Sequence, residues 1–362
     1  MGFVSIIIVN YNGKDFNSSC INSILKQSYQ DFEIIFVDNA SSDGSLEEVN
    51  ETYQKEIKNN KLIIIKNDKN TGFAGGNNVG VLHANKKSEY ICLLNNDTTV
   101  PENWLEELII AIELDKELGA VGSIILNKGM ERKTSSKTFN NKEINTSSFF
   151  GDTVRKKIPE KEFKTGIFYT AAISGCCFLY RKEIIDTPFE EYYFAYAEDI
   201  FLSWLIISCG YKIAYVAKSL VYHIGSGSFG KSPSDIKLFH GNKNQIINYI
   251  IFYNIGRKIL LFPLFIGVQL SHIFINHPRK RIKSKYESWK RIYKNRSKLS
   301  TTKRHITTQK KISQREFISK LSYKFNDEVF YTSQKKRQIN MIVAINKIYK
   351  IYCYIFGIPY TK

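Results

Sequence analysis

Residues 93–99, with the sequence LLNNDTT, place a carboxylate directly after an apolar run that is typical of a buried strand. Ligands of open α/β sheets bind at the carboxyl ends of the strands, so Asp97 is a candidate ligand for a divalent cation that bridges two phosphates. The same letters also fit a turn and helix N-cap before Pro101, and this alternative stays open.

A glycine-rich stretch, NTGFAGGNN, places Gly72, Gly75 and Gly76 around Phe73 and predicts a helix that begins at Asn77. Glycines let backbone N–H groups approach a ligand closely, and a helix N-terminus favours anionic groups. The stretch is not a P-loop, because no Gly-Lys-Ser/Thr follows it. A tight turn without a ligand fits the same letters.

The elements that must position these residues alternate in the first half of the chain, which predicts βαβ units and a parallel sheet. Right-handed crossovers would place every strand-to-helix loop on one rim. The predicted strands cover residues 4–9, 33–37, 62–65, 90–94 and 120–126, and the predicted helices cover residues 15–27, 45–57, 77–84 and 101–114.

The second half begins with a polar excursion at residues 127–166, which we interpret as a long loop. Order returns with a strand-like CCFLYR at residues 176–181, a helix at 198–209 and a strand at 211–216. From about residue 238 the pattern is helical. We therefore predict an α/β domain at residues 1–235 and a helical, basic C-terminal region at 236–362.

The formal charge of +18 predicts an anionic partner, which is a nucleic acid, a membrane surface or a phosphorylated substrate. The excess charge lies in residues 278–304, behind an apolar segment at 258–275 that is short for a bilayer span. An interfacial segment on an anionic membrane is our interpretation, and a buried core helix or a homodimer interface is the alternative. Nucleic acid is disfavoured, because the chain carries no RNP, zinc-finger or repeat signature.

The amino terminus lacks the basic region and the cleavage site of a secretory signal. The six Cys residues are scattered, and the adjacent pair at 176–177 has neither zinc-ligand nor disulfide-framework spacing. We expect reduced, mostly buried thiols and a cytoplasmic protein.

Six motifs in order are shared with a known family: SIIIVNYNG, FVDNASSDGS, NTGFAGGNNVG, LLNNDT, YAED and YHIGSGS. Over residues 3–248 the chain resembles family 2 glycosyltransferases, most closely the rhamnosyltransferase-like members. The resemblance implies the α/β GT-A fold, with a mixed, mainly parallel sheet. It also implies inverting transfer of a sugar from a dTDP- or UDP-sugar to a lipid-linked or polysaccharide acceptor, peripherally at the inner face of the cell membrane.

The resemblance implies a donor site along the rim loops. Tyr11 would lie against the nucleobase, Asp38 would accept the imide N–H of a pyrimidine, and Lys243 would neutralise phosphate; simple strand-end turns explain the first two loops equally well. The predicted nucleotide-sugar-binding residues are Asn10, Tyr11, Asn12, Asp38, Asn39, Asp43, Gly72, Phe73, Gly75, Asn77, Asn95, Asn96, Gly175 and Lys243.

A divalent metal, Mg²⁺ or Mn²⁺, is also implied, with Asp97 and His223 as its ligands. Asn95 stands where many family members have a first Asp, so one fewer charge is available for the cation. A histidine at a strand end is as often structural, and that alternative stays open for His223.

The resemblance makes Asp199 the base that takes the proton of the acceptor hydroxyl, with Glu198 as a supporting residue. N-capping of the following helix explains the same carboxylates without chemistry. Phe201 and Leu205 stand where the family usually has Asp and Arg. These departures leave a catalytically silent nucleotide-binding scaffold as a further alternative.

Overall fold

The computed structural model describes residues 2–127, 143–157, 166–224, 235–274, 278–325 and 336–361. Parts of three predicted segments lie outside the described residues. These are residues 128–142 and 158–165 of the polar excursion, residues 225–228 of the YHIGSGS motif, and residue 275, the last of the apolar segment.

Strands in the described residues form a large sheet and a separate hairpin. The strands are β1 Phe3–Asn10, β2 Phe32–Asp38, β3 Leu62–Lys66, β4 Ser88–Asn95, β5 Thr98–Thr99, β6 Leu118–Asn127, β7 Glu143–Ser147, β8 Thr153–Lys157, β9 Ile167–Thr170, β10 Cys177–Arg181 and β11 Lys212–His223. The sheet has the order β3-β2-β1-β4-β10-β6-β11-β5, with β9 also paired to β11, and β7 pairs with β8.

Helices cover both faces of the sheet and make up the C-terminal part. They are α1 Lys14–Leu25, α2 Ser45–Thr52, α3 Gln54–Lys58, α4 Gly72–Leu82, α5 Trp104–Leu114, α6 Glu198–Ser208, α7 Asp235–Phe252, α8 Ile255–Phe274, α9 Pro278–Lys294, α10 Arg296–Gln309, α11 Gln314–Ser319 and α12 Lys336–Ile355.

The long strand pairings, β1 with β2 and β4, β2 with β3, and β6 with β11, are parallel. The strand β10 is antiparallel to both β4 and β6, which it separates. An antiparallel strand begins where its parallel neighbours end. The residues just before Cys177 are therefore brought to the rim formed by the carboxyl ends of β1 and β4.

Both faces of the sheet are buried, which explains the continuous apolar runs in its strands. In β1, Ile6 and Ile8 pack into one hydrophobic cluster and Ile7 packs into the other. The C-terminal helices extend the cluster that contains Ile7, since Trp204 of α6 meets Phe252 and Phe317 edge-on. The predicted domain division near residue 235 stays a prediction.

Several predicted bounds were wrong. The helix expected from Asn77 begins at Gly72, whose positive φ of 72° starts the helical turn, so Asn77 lies inside it. The helix expected at 45–57 is interrupted at Tyr53, and the one expected from Pro101 begins at Trp104. The polar excursion contains the β7–β8 hairpin, whose short polar strands gave no apolar alternation to detect.

The apolar segment predicted at 258–275 lies in α8, which contains Pro263. Leu261, Leu264, Phe265 and Val268 of this helix are buried in the core. Throughout the described part of the chain, no helix combines the length and apolar character that a membrane crossing requires.

Candidate functional site

Asn10, the last residue of β1, joins three loops of the rim and is fully buried. Its Nδ2 donates to Asp38 Oδ1 at 2.9 Å and to Ser45 Oγ at 2.8 Å. Its Oδ1 accepts from Asn17 and Asn96 at 3.0 and 3.1 Å. Because its donors and acceptor are used internally, Asn10 positions the rim loops, and its predicted contact with a nucleotide would require this network to open.

The loop after β2 contains two of the predicted carboxylates. Asp38 is buried, and its Oδ2 accepts from the backbone N–H of Ser41 at 3.1 Å. Asp43 is half-buried, and although burial acts to raise its pKa, hydrogen bonds from Ser45 and from the backbone N–H of Lys14 hold that pKa below its usual value. Asp43 therefore stays anionic at neutral pH, and it fastens the loop to the start of α1.

Tyr11 and Asn12 are the outermost residues of this part of the rim. Tyr11 is 37% exposed, and its ring is accessible to a ligand. Asn12 has a positive φ of 53°, and its Oδ1 accepts from Ser42 N at 2.8 Å. The contact of Tyr11 with a base stays a prediction, and its exposed ring is placed where a ligand can reach it.

The glycine-rich turn joins the two halves of the rim. The Asn39 side chain donates to the carbonyl of Gly72 at 2.9 Å and accepts from Thr71 Oγ1 at 3.0 Å. On the other side, Ala74 N donates to the carbonyl of Phe194 at 3.0 Å, and a Cβ on Gly72 would overlap the same oxygen. Only glycine fits at this position, because it has a positive φ and this close neighbour.

Asp97 and His223 meet at the rim, as the predicted metal pair requires. His223 ends β11 opposite Thr98, and its Nε2 lies 3.0 Å from Asp97 Oδ1. The side chain of Asn95 lies 3.5 Å from the same nitrogen. Asn96, in contrast, is buried and donates to Asn10 and Asn17, so it stabilises the turn after β4 from the protein interior.

The donor set of Asp97 and His223 fits a divalent cation in part. A carboxylate oxygen and an imidazole nitrogen are ligands that Mn²⁺ accepts, and Mg²⁺ is commonly held by one or two carboxylates together with substrate phosphates. Within the described ranges, no group of three or more His, Cys, Asp or Glu side chains is placed to hold a metal. The remaining ligands would have to be water and phosphate oxygens.

The predicted base, Asp199, is joined to the same rim by the turn before β10. Gly175 N donates to Asp199 Oδ2 at 3.1 Å, and the neighbouring Cys176 accepts from Asn95 N at 3.0 Å. A Cβ on Gly175 would lie 3.4 Å from both Asp199 Cβ and the Phe73 ring. Gly175 thus brings Phe73 and Asp199 close together. The hydrogen bonds from Gly175 N to the Asp199 carboxylate and from Asn95 N to the Cys176 carbonyl connect the base to Asn95 through the turn.

The backbone before Asp199 is strained. Phe194, Tyr196 and Ala197 all have positive φ values, between 61° and 67°. Such conformations cost free energy in residues with a side chain, and they persist where the surroundings enforce them, often at functional sites. We refer to residues 194–199 as the strained segment.

Helix α7 holds the strained segment in place. Asn244 Nδ2 donates to the carbonyls of Tyr193, Ala195 and Tyr196 at 2.6 to 3.0 Å. Asn248 accepts from the Tyr193 hydroxyl. These two asparagines are one turn apart, so one face of the helix contacts the segment along its path.

Lys243, predicted to neutralise phosphate, lies on the same helix and contacts the residues just before the strained segment. Its ammonium is buried and donates to the carbonyl of Tyr192. Burial, assisted by the charge of Arg291, lowers its pKa to about 8. The structure therefore does not present Lys243 to the rim, and a phosphate could reach it only if the segment moved.

Glu198 and Asp199 have different environments although they are adjacent. Glu198 is buried, and burial together with the charge of Asp199 raises its pKa to about 8. Its Oε2 has no hydrogen-bond partner. Asp199 is half-buried and accepts N–H groups from Gly175 and Ile200, which favour its charged form. Burial therefore favours a proton on Glu198, whereas the two N–H groups favour the charged form of Asp199, which is the form able to accept a proton.

Phe201 and Leu205 lie in the core. Phe201 packs against Tyr193 and Phe252 with ring centroids 4.9 and 5.7 Å apart. Leu205 is buried as well. These departures from the family pattern serve packing behind the strained segment.

Sequence reasoning missed several residues that shape the site. Asn244 and Asn248 lie about fifty positions from the segment that they hold, and the sequence predicted a role for the neighbouring Lys243 but for neither asparagine. The hydrogen-bond network around Asn10 was missed as well, because its members are also separated along the chain. Its unpredicted members are Asn17, Ser41 and Ser45.

Comparison with known proteins identifies the family of the chain. The family model described as Glycosyl transferase family 2 matches residues 5–188, just over half of the chain. A segment of 105 residues is 33% identical to Glycosyltransferase GlyG of Streptococcus pneumoniae and covers 29% of this chain and 33% of that protein. A segment of 128 residues is 38% identical to UDP-Glc:alpha-D-GlcNAc-diphosphoundecaprenol beta-1,3-glucosyltransferase WfaP of Escherichia coli and covers 35% of this chain and 48% of that protein.

A longer match, 213 residues at 26% identity, is to Poly-beta-1,6-N-acetyl-D-glucosamine synthase of Staphylococcus aureus, and it covers 59% of this chain and 47% of that protein. The chain thus spans about a third to a half of the length of these curated relatives.

Solved structures show the fold. GalNAc-T7 with UDP, GalNAc and Mn²⁺ aligns with a TM-score of 0.59 at 17% identity, over 82% of this chain and 58% of that one. The mannosyltransferase PcManGT of Pyrobaculum calidifontis, in complex with GDP-Man and Mn²⁺, aligns with a TM-score of 0.51 at 14% identity, over 85% and 86%. The predicted GT-A fold is confirmed.

Proposed function

This chain belongs to glycosyl transferase family 2, and we propose that it transfers a sugar from a nucleotide-diphospho-sugar to a hydroxyl group of an acceptor. The donor is a UDP- or dTDP-sugar, and the acceptor is lipid-linked or a polysaccharide. The transfer inverts the configuration at the anomeric carbon. The names of WfaP and of the Staphylococcus aureus synthase support an acceptor of this class.

One observation supports the proposal most directly. Asp97 and His223 lie 3.0 Å apart, Asn95 lies beside them, and the hydrogen bonds of Asn95 to Cys176 and of Gly175 to Asp199 lead to the base. A site for a diphosphate and a site for a proton acceptor are thus neighbours on one rim. An in-line displacement needs this arrangement, because the leaving group departs on one side of the sugar and the nucleophile arrives on the other.

On the donor side, Tyr11 and Asp38 would bind the base and Asp97 with His223 would hold the diphosphate. These last two residues would bind a Mg²⁺ or Mn²⁺ ion, whose charge neutralises the departing diphosphate. Phe73 and Gly175 would border the sugar, since the absence of a Cβ at Gly175 leaves space beside Asp199.

On the acceptor side, Asp199 takes the proton of the hydroxyl as its oxygen attacks the anomeric carbon. The bond from that carbon to the diphosphate oxygen breaks, and the nucleoside diphosphate leaves. The raised pKa of Glu198, about 8, favours its neutral form and so reduces the negative charge beside the base. Asp199 therefore stays a single, localised proton acceptor at neutral pH.

A binding screen followed by transfer tests the proposal. UDP-, dTDP- and GDP-sugars are compared by thermal shift with and without Mn²⁺, because a ligand that binds the folded state raises its apparent stability. The binding donor is then incubated with a diphospholipid-linked N-acetylglucosamine acceptor and with polysaccharide. We expect a UDP- or dTDP-sugar to raise Tm only with the metal and to be transferred. Metal-dependent binding without transfer to any acceptor would favour the silent scaffold, and binding of no donor would overturn the proposal.

A further inference from the structure

The outward side of α8 is apolar throughout its described side chains. Its large exposed residues are between 37% and 72% exposed and follow one another at spacings of four, three, four and four, which places them on one stripe. No charged residue is among the exposed positions of residues 255–271. The stripe consists of Ile255, Ile259, Phe262, Ile266 and Leu270.

Helix α9 turns its polar side inward. Ser284 accepts from Asn242 of α7 at 3.1 Å, and Lys285 donates to Gln269 of α8 at 2.6 Å. Ser288 is fully buried and donates to the carbonyl of Phe239. A helix on the surface of a water-soluble domain usually buries its apolar side, so this arrangement is inverted.

The outward side of α9 combines aromatic and basic residues. Ile282, Tyr286, Trp289 and Tyr293 are between 47% and 69% exposed, at spacings of four, three and four. Exposed cations lie among them, and Glu287 is the single acid between Pro278 and Lys294. The cations are Arg279, Lys280, Lys283, Lys290, Arg291 and Lys294.

The two helices that carry these residues are neighbours, because Lys285 of α9 donates to Gln269, the residue before Leu270 of α8. Together, the α8 stripe and the outward side of α9 are called the docking face. None of its residues belongs to the candidate active site, so a role for the docking face does not depend on the proposed transfer.

We propose that the docking face lies flat on an anionic phospholipid bilayer. Trp and Tyr prefer the headgroup level, aliphatic side chains enter the acyl boundary, and basic residues attract anionic lipids. The face provides all three groups within two adjacent helices. Since no described helix is long and apolar enough to cross a membrane, the contact is peripheral.

The charge of the face argues against a second copy as its occupant. Interface cores between protein chains are depleted in Lys, and a symmetric pair would bring two sets of six cations together. A nucleic acid would satisfy the cations but would leave the uncharged α8 stripe in water. An anionic bilayer matches both parts of the face.

Vesicle flotation of the full chain tests the proposal. Phosphatidylcholine vesicles are compared with vesicles that contain phosphatidylglycerol, and we expect binding to the anionic vesicles that weakens in high salt. The double variant Ile259→Ser/Phe262→Ser should bind at least about tenfold more weakly, and Lys283→Gln/Lys290→Gln about tenfold more weakly. The matched control is Leu82→Ser/Leu114→Ser, which removes two exposed leucines far along the chain from the face and should bind like the native protein.

Trp289 offers a direct readout, because the other two tryptophans, Trp104 and Trp204, are fully buried. Anionic vesicles should shift its fluorescence to shorter wavelength, and brominated lipids should quench it. Trp289→Phe should still float with vesicles but lose the shift. The proposal is overturned by absence of flotation, by equal weakening in the leucine control, or by a native dimer that the Ile259/Phe262 variant converts to monomer. Binding of RNA in preference to vesicles would overturn it as well.

Discussion

The loops that follow β1, β2 and β4 are held by side chains of the rim itself, whereas the strained segment is held from outside by α7. Asn10, Asn39 and Asn96 are short, buried amides whose hydrogen bonds link one strand-end loop to the next. Asn244 and Asn248 instead reach the carbonyls of residues 193–197 from a helix later in the chain.

The difference has a physical cause. The ends of parallel strands are already brought together by the sheet, so short side chains suffice to fix the loops that follow them. The strained segment has three residues at positive φ and belongs to no strand, so its conformation needs an external set of hydrogen bonds. We expect the donor side to tolerate damage in α7 and the base to depend on it.

The largest effect is expected at the base. Asp199→Asn keeps the shape and hydrogen-bond reach of the side chain but removes its ability to accept a proton, so transfer should fall by about 10³-fold. Metal-dependent donor binding, measured by calorimetry, should be unchanged. Asp186→Asn, at an exposed position, is the control, and turnover near the native value in Asp199→Asn would refute the base assignment.

The second largest effect is expected at Asn244, which holds the strained segment from α7. Asn244→Ala removes the side-chain donor that binds the carbonyls of Tyr193, Ala195 and Tyr196, and a displacement of the base by about 1 Å is enough to cost about 10²-fold in rate. Since the loops after β1, β2 and β4 are held by hydrogen bonds of their own, donor affinity should stay within about twofold of the native value. Equal losses in turnover and donor affinity would contradict the separation of the two regions.

A smaller effect is expected at the predicted metal pair. Asp97→Ala should weaken Mn²⁺-dependent binding of the nucleotide diphosphate by about tenfold, because a carboxylate ligand is lost while His223 and the phosphate oxygens remain. Binding without Mn²⁺ should change little. Calorimetry in which Asp97→Ala and native protein have the same affinity with the metal would refute the ligand role.

The smallest effect concerns the protonation of Glu198. Its pKa is about 8 in the folded protein against an ordinary value of 4.5, so the folded state binds this proton more tightly. The associated stability is complete below pH 4.5 and is lost as the pH rises through about 8. Glu198→Gln removes this dependence, so its Tm should exceed that of the native protein by a few degrees more in alkaline than in mildly acidic buffer. If the curves of Tm against pH were parallel for the two proteins, Glu198 would be ionised in the folded state over the whole pH range tested, which would contradict the prediction.

The family and the GT-A fold could be predicted from the resemblance of six ordered motifs to known sequences. The strands that carry the rim could be predicted because apolar runs and the polar residues that end them are local patterns. The position of Asp97 at a strand end and of Asp199 at a helix start follows from those patterns. The predicted roles of the site residues remain predictions, and the structure adds where each one lies.

How these residues meet depends on contacts between distant parts of the chain, which the sequence does not reveal. The antiparallel insertion of β10 between β4 and β6 brings Gly175 to the rim, and nothing local in CCFLYR sets its direction. The burial of Lys243 and the hydrogen bonds by which Asn244 holds the strained segment depend on contacts between residues about fifty positions apart. The inverted amphipathicity of α9 depends on which polar neighbours surround it. Periodicity shows that a helix has two sides, but the packing partners determine which side faces water.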